Sequence, residues 1–389
     1  MIKDTTQLHI SESKRCLGCR VAHCKSACPV GNDIPAFLQC VASSEYGKAV
    51  DLIGHPFGEI CGYVCPHDIH CHGGCVLSKK GQAVQMGAVE RVVFAQHPYK
   101  VERKSDILHN VKVAVVGGGV AGLTFGSKMY EQGADVTVYE RDELLSTLKL
   151  IPDFRLPREA IQRIERAIEG KFTVAKQTVT SRDLSLLQLD YDIVYVATGA
   201  CKLYGLGVEG QELATPYDIF LKDKAHCGDV VVVGGGNTAM DCARLAKRNG
   251  CNVTVAYRRT RADMPAFTKE IDEAQHEGVG FVYNVAPVKL QLSNGRLLLS
   301  LAKTVSEGRG KLTLTDEVTQ IACDTVVSAL GSGFDSSIFE GIQVGDDVKH
   351  PLLNVYAGGD AVGGQFVARA VADAMNATKL AIASLENKK

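Results

Sequence analysis

Nine of the fourteen cysteines in this 389-residue chain lie before residue 76, and their spacing is that of ligands. They run Cys16-x2-Cys19-x4-Cys24-x3-Cys28-Pro29, then Cys40, Cys61, Cys65-Pro66, Cys71 and Cys75. Tetrahedral sets of thiolates hold zinc or iron–sulfur clusters. Eight or more thiolates with two Cys-Pro ends favour two 4Fe–4S clusters over a zinc ribbon. In two-cluster ferredoxins the Cys before Pro ligates the other cluster. His67, His70 and His72 sit among these cysteines. They read as polar loop residues that hydrogen-bond locally or face water rather than as ligands.

The second group of chemistry-bearing residues is glycine. Gly117-Gly118-Gly119-Val120-Ala121-Gly122 is a G-x-G-x-x-G after the apolar run Val113-Ala-Val-Val. Gly117, Gly119 and Gly122 permit a tight turn, so that backbone N–H groups and a helix dipole meet a pyrophosphate. Glu140 ends the following strand, with Arg141 beside it, and a carboxylate there accepts hydrogen bonds from ribose hydroxyls. A second loop, Gly234-Gly235-Gly236-Asn237-Thr238-Ala239, ends its unit on Arg258 and Arg259 instead of an acid. Guanidinium forks match a phosphate. The pair of loops therefore predicts FAD on the first and NADPH on the second. Two more strand ends fit the flavin side. One closes at Thr198-Gly199, the other at Gly359-Asp360 before a helix through Val367, Val371 and Leu380.

These residues need elements to position them. Residues 1–105 are Cys- and His-rich, with helical periodicity over Pro35 to Ile53. A charged, aperiodic linker is expected from Pro98 to Ser105. From Val111 onward strands alternate with helices, which argues for parallel sheets. Strand, glycine turn, helix and strand recur in the same order, at Lys112–Glu140 and again at Asp229–Tyr257. The expected class is α/β: a helical Fe–S domain, then two Rossmann-like domains, the second inserted in the first. The expected bounds are 1–105, then 106–202 and 323–389 for FAD, with 203–322 for NADPH.

Composition excludes other classes. Lys+Arg total 43 and Asp+Glu 44, a balance unlike that of a nucleic-acid binder. No apolar run reaches the length of a membrane span, and no leader-like segment opens the chain. A cytoplasmic protein is expected, in which cysteines serve metals or redox chemistry rather than disulfides.

The chain resembles the small (β) subunit of NADPH-dependent glutamate synthase and, equally, the flavin/Fe–S part of dihydropyrimidine dehydrogenase. The resemblance spans nearly the whole chain. It is carried by Cys16-Leu-Gly-Cys through Cys28-Pro-Val, Cys61-Gly-Tyr-Val-Cys-Pro, Pro152-Asp-Phe-Arg-Leu-Pro157, Gly234-Gly-Gly-Asn-Thr-Ala-Met-Asp241 and Tyr257-Arg-Arg-Thr-Arg-Ala-Asp-Met-Pro265. It implies one 4Fe–4S cluster on Cys16, Cys19, Cys24 and Cys75. It implies another on Cys28, Cys65, Cys71 and a non-cysteine ligand, for which Glu90 is the candidate and Cys61 the rival. The alternative for Glu90 is a solvated helix carboxylate; Cys40 reads as a small buried residue. One departure stands out. The family has two glycines after the acid; here Leu144 to Pro152 is about two residues shorter, with Ser146 and Thr147 in their place.

Hydride transfer between nicotinamide and flavin needs orientation and electrostatics rather than a protein acid or base, so no catalytic side chain is assigned. The expected function is electron input from NADPH, through FAD and two clusters, to a partner. That partner is a larger catalytic subunit, of glutamate synthase or dihydropyrimidine dehydrogenase, or a ferredoxin-like acceptor. Two alternatives remain. Flavin disulfide reduction needs a redox Cys pair beside the flavin or in the NADPH domain, but no Cys occurs between 76 and 200, and Cys242 and Cys251 are too far apart for a C-x-x-C. A docking subunit without flavin turnover draws support from the altered 144–152 loop.

Overall fold

The computed structural model describes residues 9–223, 228–306, 311–340, 354–364 and 366–386. Two compact units result. The first comprises 1–149, 153–200 and 334–389; the second comprises 150–152 and 201–333.

The first unit opens with short helices: His23–Ala27, Ile34–Ala42, Tyr46–Ile53, Gly58–Val64 and Met86–Gln96. The periodic stretch from Pro35 to Ile53 is thus two helices, not one. Ser44 adopts a left-handed φ of 62° and turns the chain between them. The segment 98–105 carries no regular structure, but it is not a loose linker. Tyr99 and Val101 are buried, and the Tyr99 hydroxyl donates to Glu131 Oε1 at 2.5 Å. Lys104 and Ser105 donate backbone N–H groups to the Glu131 carbonyl. Apolar burial by distant partners overrides the charged composition here. Another tie runs from Glu59, on the Gly58–Val64 helix, to Arg163, on the helix Arg158–Ile168. Glu59 is 3% exposed and accepts both guanidinium N–H groups, at 2.5 and 2.7 Å.

The five-stranded parallel sheet of this unit has the order Val355–Ala357, Ile193–Val196, Lys112–Val116, Asp135–Glu140, Thr173–Lys176. Lys112–Val116 is central: the next two strands in the chain lie on one side of it and the last two on the other. That is a switch point, where the carboxyl ends of strands leave a crevice for a ligand.

The second unit repeats the arrangement. Its parallel sheet runs Thr215–Pro216, Thr325–Ser328, Asp229–Val233, Asn252–Tyr257, Gly280–Tyr283, with Asp229–Val233 at the switch point. Thr325–Ser328 pairs with Asp229–Val233 in register Thr325↔Val230, so the second unit ends at Gly333 rather than at 322. Val326 and Val327 are fully buried, which holds the strand there. An antiparallel sheet of Val285–Ser293, Arg296–Ser306 and Leu312–Cys323 belongs to this unit as well. Its first hairpin turns on Asn294 (φ 51°) and Gly295 (φ 78°). Both central residues lie at positive φ, as the tight hairpin turn demands.

Candidate functional site

The cysteines fall into two neighbourhoods. Burial pushes the Cys16 thiol up, and the charges of Cys19 and Cys75 add to the rise. Cys24 is pushed up by burial and then by Cys16 and Cys75. The second neighbourhood holds Cys28, Cys65, Cys71 and Glu90. Burial raises all three of its thiols, and Glu90 raises them further. Both rivals for its fourth position stand there. Glu90 is 4% exposed on the Met86–Gln96 helix, and burial raises its carboxyl. It is therefore not a solvated helix carboxylate. Cys61 is buried beside Cys65, Glu90, Cys28 and Cys71. Cys40 is buried in the Ile34–Ala42 helix.

The folding of the two cysteine segments explains this partition. The turn Gly73-Gly74 packs on the carbonyl of His23, where a Cβ on Gly74 would stand 2.7 Å away. That brings Cys75 back to Cys16 and Cys24. Among the described residues no three donors converge closely enough for a single metal ion. A cubane spreads its ligands around a larger body. With soft thiolate donors in each, the sets suit Fe–S chemistry.

Of the three histidines only His70 has a side-chain partner in hydrogen-bond range; His67 Nε2 and His72 Nε2 are buried with no hydrogen-bond partner among the described residues. His67 stacks on His72 with ring centroids 4.9 Å apart, and its Nε2 lies 4.0 Å from Glu90. His70 Nδ1 lies 3.3 Å from Cys65 Sγ.

The first glycine loop follows Lys112–Val116 and opens the helix Val120–Glu131. Gly117 has φ 108°, and a Cβ on it would meet the Ala197 carbonyl. Gly119 caps the helix with no side chain, and open space lies where its Cβ would be. The first N–H groups of the helix thus face outward unscreened, as an anion site requires. Gly122 abuts the Gly117 carbonyl and leaves no room for a methyl group. Glu140 Oε2 accepts from Gly118 N at 2.6 Å, and Oε1 from Asp142 N at 2.8 Å. Arg141 is exposed and pairs with Asp142 at 3.0 Å. Thr198 Oγ1 is buried with no hydrogen-bond partner among the described residues, beside Gly199 at φ 72°. An orphaned hydroxyl and a cradle without side chains fit a dinucleotide.

Gly359 (φ 71°) and Asp360 lie beyond the strand Val355–Ala357. Burial, with Asp373 nearby, pushes the Asp360 carboxyl up to about 6. Asp373 was not foreseen. It sits on the helix Val367–Glu386 and accepts the Gly359 N–H at 3.3 Å. The 144–152 loop makes its own turn without a glycine. Its left-handed residue is Leu145 (φ 60°), not Ser146 or Thr147, which begin a short helix. Leu145 N donates to the Gly118 carbonyl at 2.9 Å.

The second loop is built alike. Gly234 has φ 149°, Gly236 caps the helix Asn237–Arg248 with open space at its Cβ, and Ala239 is fully buried. Asn237 Oδ1 accepts the Phe267 N–H at 2.9 Å, so it anchors the 260s segment; Thr238 is half-buried beside it. Arg258 is exposed and Arg259 half-buried; burial pushes the Tyr257 hydroxyl up, and the two nearby guanidinium charges oppose that rise.

Fold and sites together define a nucleotide-dependent redox protein. Residues 2–101 match the family described as dihydropyrimidine dehydrogenase domain II, 4Fe-4S cluster. Residues 111–381 match pyridine nucleotide-disulphide oxidoreductase, and the chain belongs to that family. It is an NAD(P)H-dependent oxidoreductase with a 4Fe–4S domain ahead of its dinucleotide-binding part. Among its relatives is the glutamate synthase [NADPH] small chain of Azospirillum brasilense, 30% identical over 95% of this chain and 87% of that one. Another is the NADPH-Fe(3+) oxidoreductase subunit beta of Geobacter sulfurreducens, 31% identical over 81% of this chain. Several relatives are longer; the chain spans about half the length of some, 48% in one case and 52% in another. A thioredoxin reductase structure from Lactococcus lactis shares the fold over 70% of this chain and all of that one, with TM-score 0.58 at 18% identity. No described helix is long and apolar enough to cross a membrane.

Proposed function

We propose that the chain is an NADPH-oxidising electron-input subunit that delivers electrons through FAD and two 4Fe–4S clusters to a partner protein. When bound, these groups supply the conversion of a two-electron hydride donor into single electrons. The chain's own residues bind and orient them. Gly117, Gly119 and Gly122 with the Val120–Glu131 helix cradle the FAD pyrophosphate, Glu140 and Arg141 border the adenosine end, and Thr198, Gly199, Gly359 and Asp360 border the rest. Gly234, Gly236, Asn237, Thr238 and Ala239 form the NADPH loop, where Arg258 and Arg259 grip the extra ribose phosphate. Cys16, Cys19, Cys24 and Cys75 hold one cluster; Cys28, Cys65, Cys71 and Glu90 hold the other.

The observation that carries this reading is the partition of the thiols into two neighbourhoods within the same compact unit as the first glycine loop. The relatives' names favour a larger partner subunit, of glutamate synthase type, over a dihydropyrimidine dehydrogenase subunit or a ferredoxin-like acceptor. One observation favours a second reading, a docking subunit that retains flavin poorly. Leu145, in a left-handed conformation, hydrogen-bonds the glycine loop itself. NADPH-driven reduction of ferricyanide by anaerobically purified protein tests both. Turnover with one flavin and about eight irons per chain is expected from two clusters; no turnover with full iron favours docking.

A further inference from the structure

His70 touches both the second thiol neighbourhood and the C-terminal part of the flavin half. Its Nδ1 stands 3.3 Å from Cys65 Sγ, within hydrogen-bond range of sulfur. Its ring meets Phe366 edge-on, with centroids 5.9 Å apart and an interplanar angle of 85°. Phe366 directly precedes the helix Val367–Glu386, whose Asp373 anchors Gly359 beside Asp360. All of these residues belong to one compact unit. A ligating Cys65 is a thiolate and can only accept, so the imidazole must donate from Nδ1. In the neutral imidazole Nδ1–H is one of two tautomers. Accepting a hydrogen bond at Cys65 selects that tautomer, and Phe366 fixes the ring plane.

We propose that His70 is a positioning residue that donates a hydrogen bond to Cys65 Sγ and is oriented by Phe366, so raising the reduction potential of the cluster held by Cys28, Cys65 and Cys71. The inference rests on the two-cluster reading above. Its physics is charge. Reduction adds an electron to cluster and thiolates, so a donor aimed at sulfur stabilises the reduced state more than the oxidised one. No proton is transferred. The contact also makes the potential answer to the flavin half, because Phe366 belongs to that half.

The test is an EPR-monitored redox titration of the anaerobically purified holoprotein and three variants, with iron and flavin content measured alongside. His70→Phe keeps an aromatic ring against Phe366 and removes the donor. It is expected to lower one cluster's midpoint and leave the other unchanged. At fixed ambient potential the reduced:oxidised ratio of that cluster falls about tenfold, equivalent to about 59 mV for one electron. Phe366→Leu leaves the donor and every ligand in place, and is expected to shift the same midpoint in the same direction by less. His70→Asn, which restores a donor, is expected to recover part of the shift. Unchanged midpoints in both His70→Phe and Phe366→Leu at wild-type iron content overturn the proposal alone. A wild-type protein lacking the second cluster signal overturns the two-cluster reading with it.

Discussion

Removing the two arginines at the end of the strand Asn252–Tyr257 is predicted to erase discrimination between NADPH and NADH. Among the described residues neither Arg258 nor Arg259 has a carboxylate within ion-pair distance, so neither is committed to a structural bridge. Each can give charge-assisted hydrogen bonds to a phosphate, worth ~1.5–3 kcal/mol per bond. Arg258 is exposed and Arg259 half-buried, which places both near the lower end. Together they amount to about 3 kcal/mol, or roughly 150-fold in kcat/KM. Steady-state reduction of ferricyanide by Arg258→Ala/Arg259→Ala protein measures it. NADPH efficiency should fall about two orders of magnitude through KM, with NADH efficiency unchanged within about twofold. An equal loss with both nucleotides would refute the reasoning, because it would place the arginines against a group the two share.

Three further outcomes follow from the geometry. Gly122→Ala drives a Cβ onto the Gly117 carbonyl, a backbone atom that cannot step aside, so the variant should purify with its iron but without flavin; retained flavin refutes the loop assignment. Asp360→Asn should stabilise flavin-free protein in a pH-dependent way. The carboxyl's folded value, about 6, lies above its ordinary 3.8, so the cost of ionising it is absent below about pH 4, grows up to pH 6 and is complete above. Urea unfolding should show a gain of up to about 3 kcal/mol at pH 7.5, about 1 kcal/mol at pH 4.5 and almost none at pH 3; an equal gain at pH 7.5 and pH 3 would exclude the carboxylate as its cause. Arg163→Met strands the Glu59 carboxylate, which is 3% exposed, and should cost about 3 kcal/mol, while the double variant with Glu59→Leu should recover most of it.

The chemistry was more legible than the architecture that carries it. Glycine loops and cysteine spacings are local signals, whereas the division of the cysteines into two sets came from the family resemblance rather than from spacing. Cys75 joins Cys16 and Cys24, while Glu90 joins Cys28, Cys65 and Cys71. What composition hid was set by distant partners. Tyr99 and Val101 look like part of a charged tether until Glu131 closes on them. Thr325–Ser328 reads as the start of a returning domain until it pairs beside Asp229–Val233. The antiparallel sheet was overlooked although its signal was present, since Asn294-Gly295 between apolar alternations marks a hairpin. Asp373 left no trace, because an Asp on a long helix is ordinarily solvated.

The most direct test of the central claim is the visible spectrum of anaerobically purified protein before and after one equivalent of NADPH. A combined flavin and iron–sulfur spectrum that bleaches on addition is the predicted result. A flavin band that NADPH leaves untouched, or stoichiometric zinc in place of iron, would contradict it.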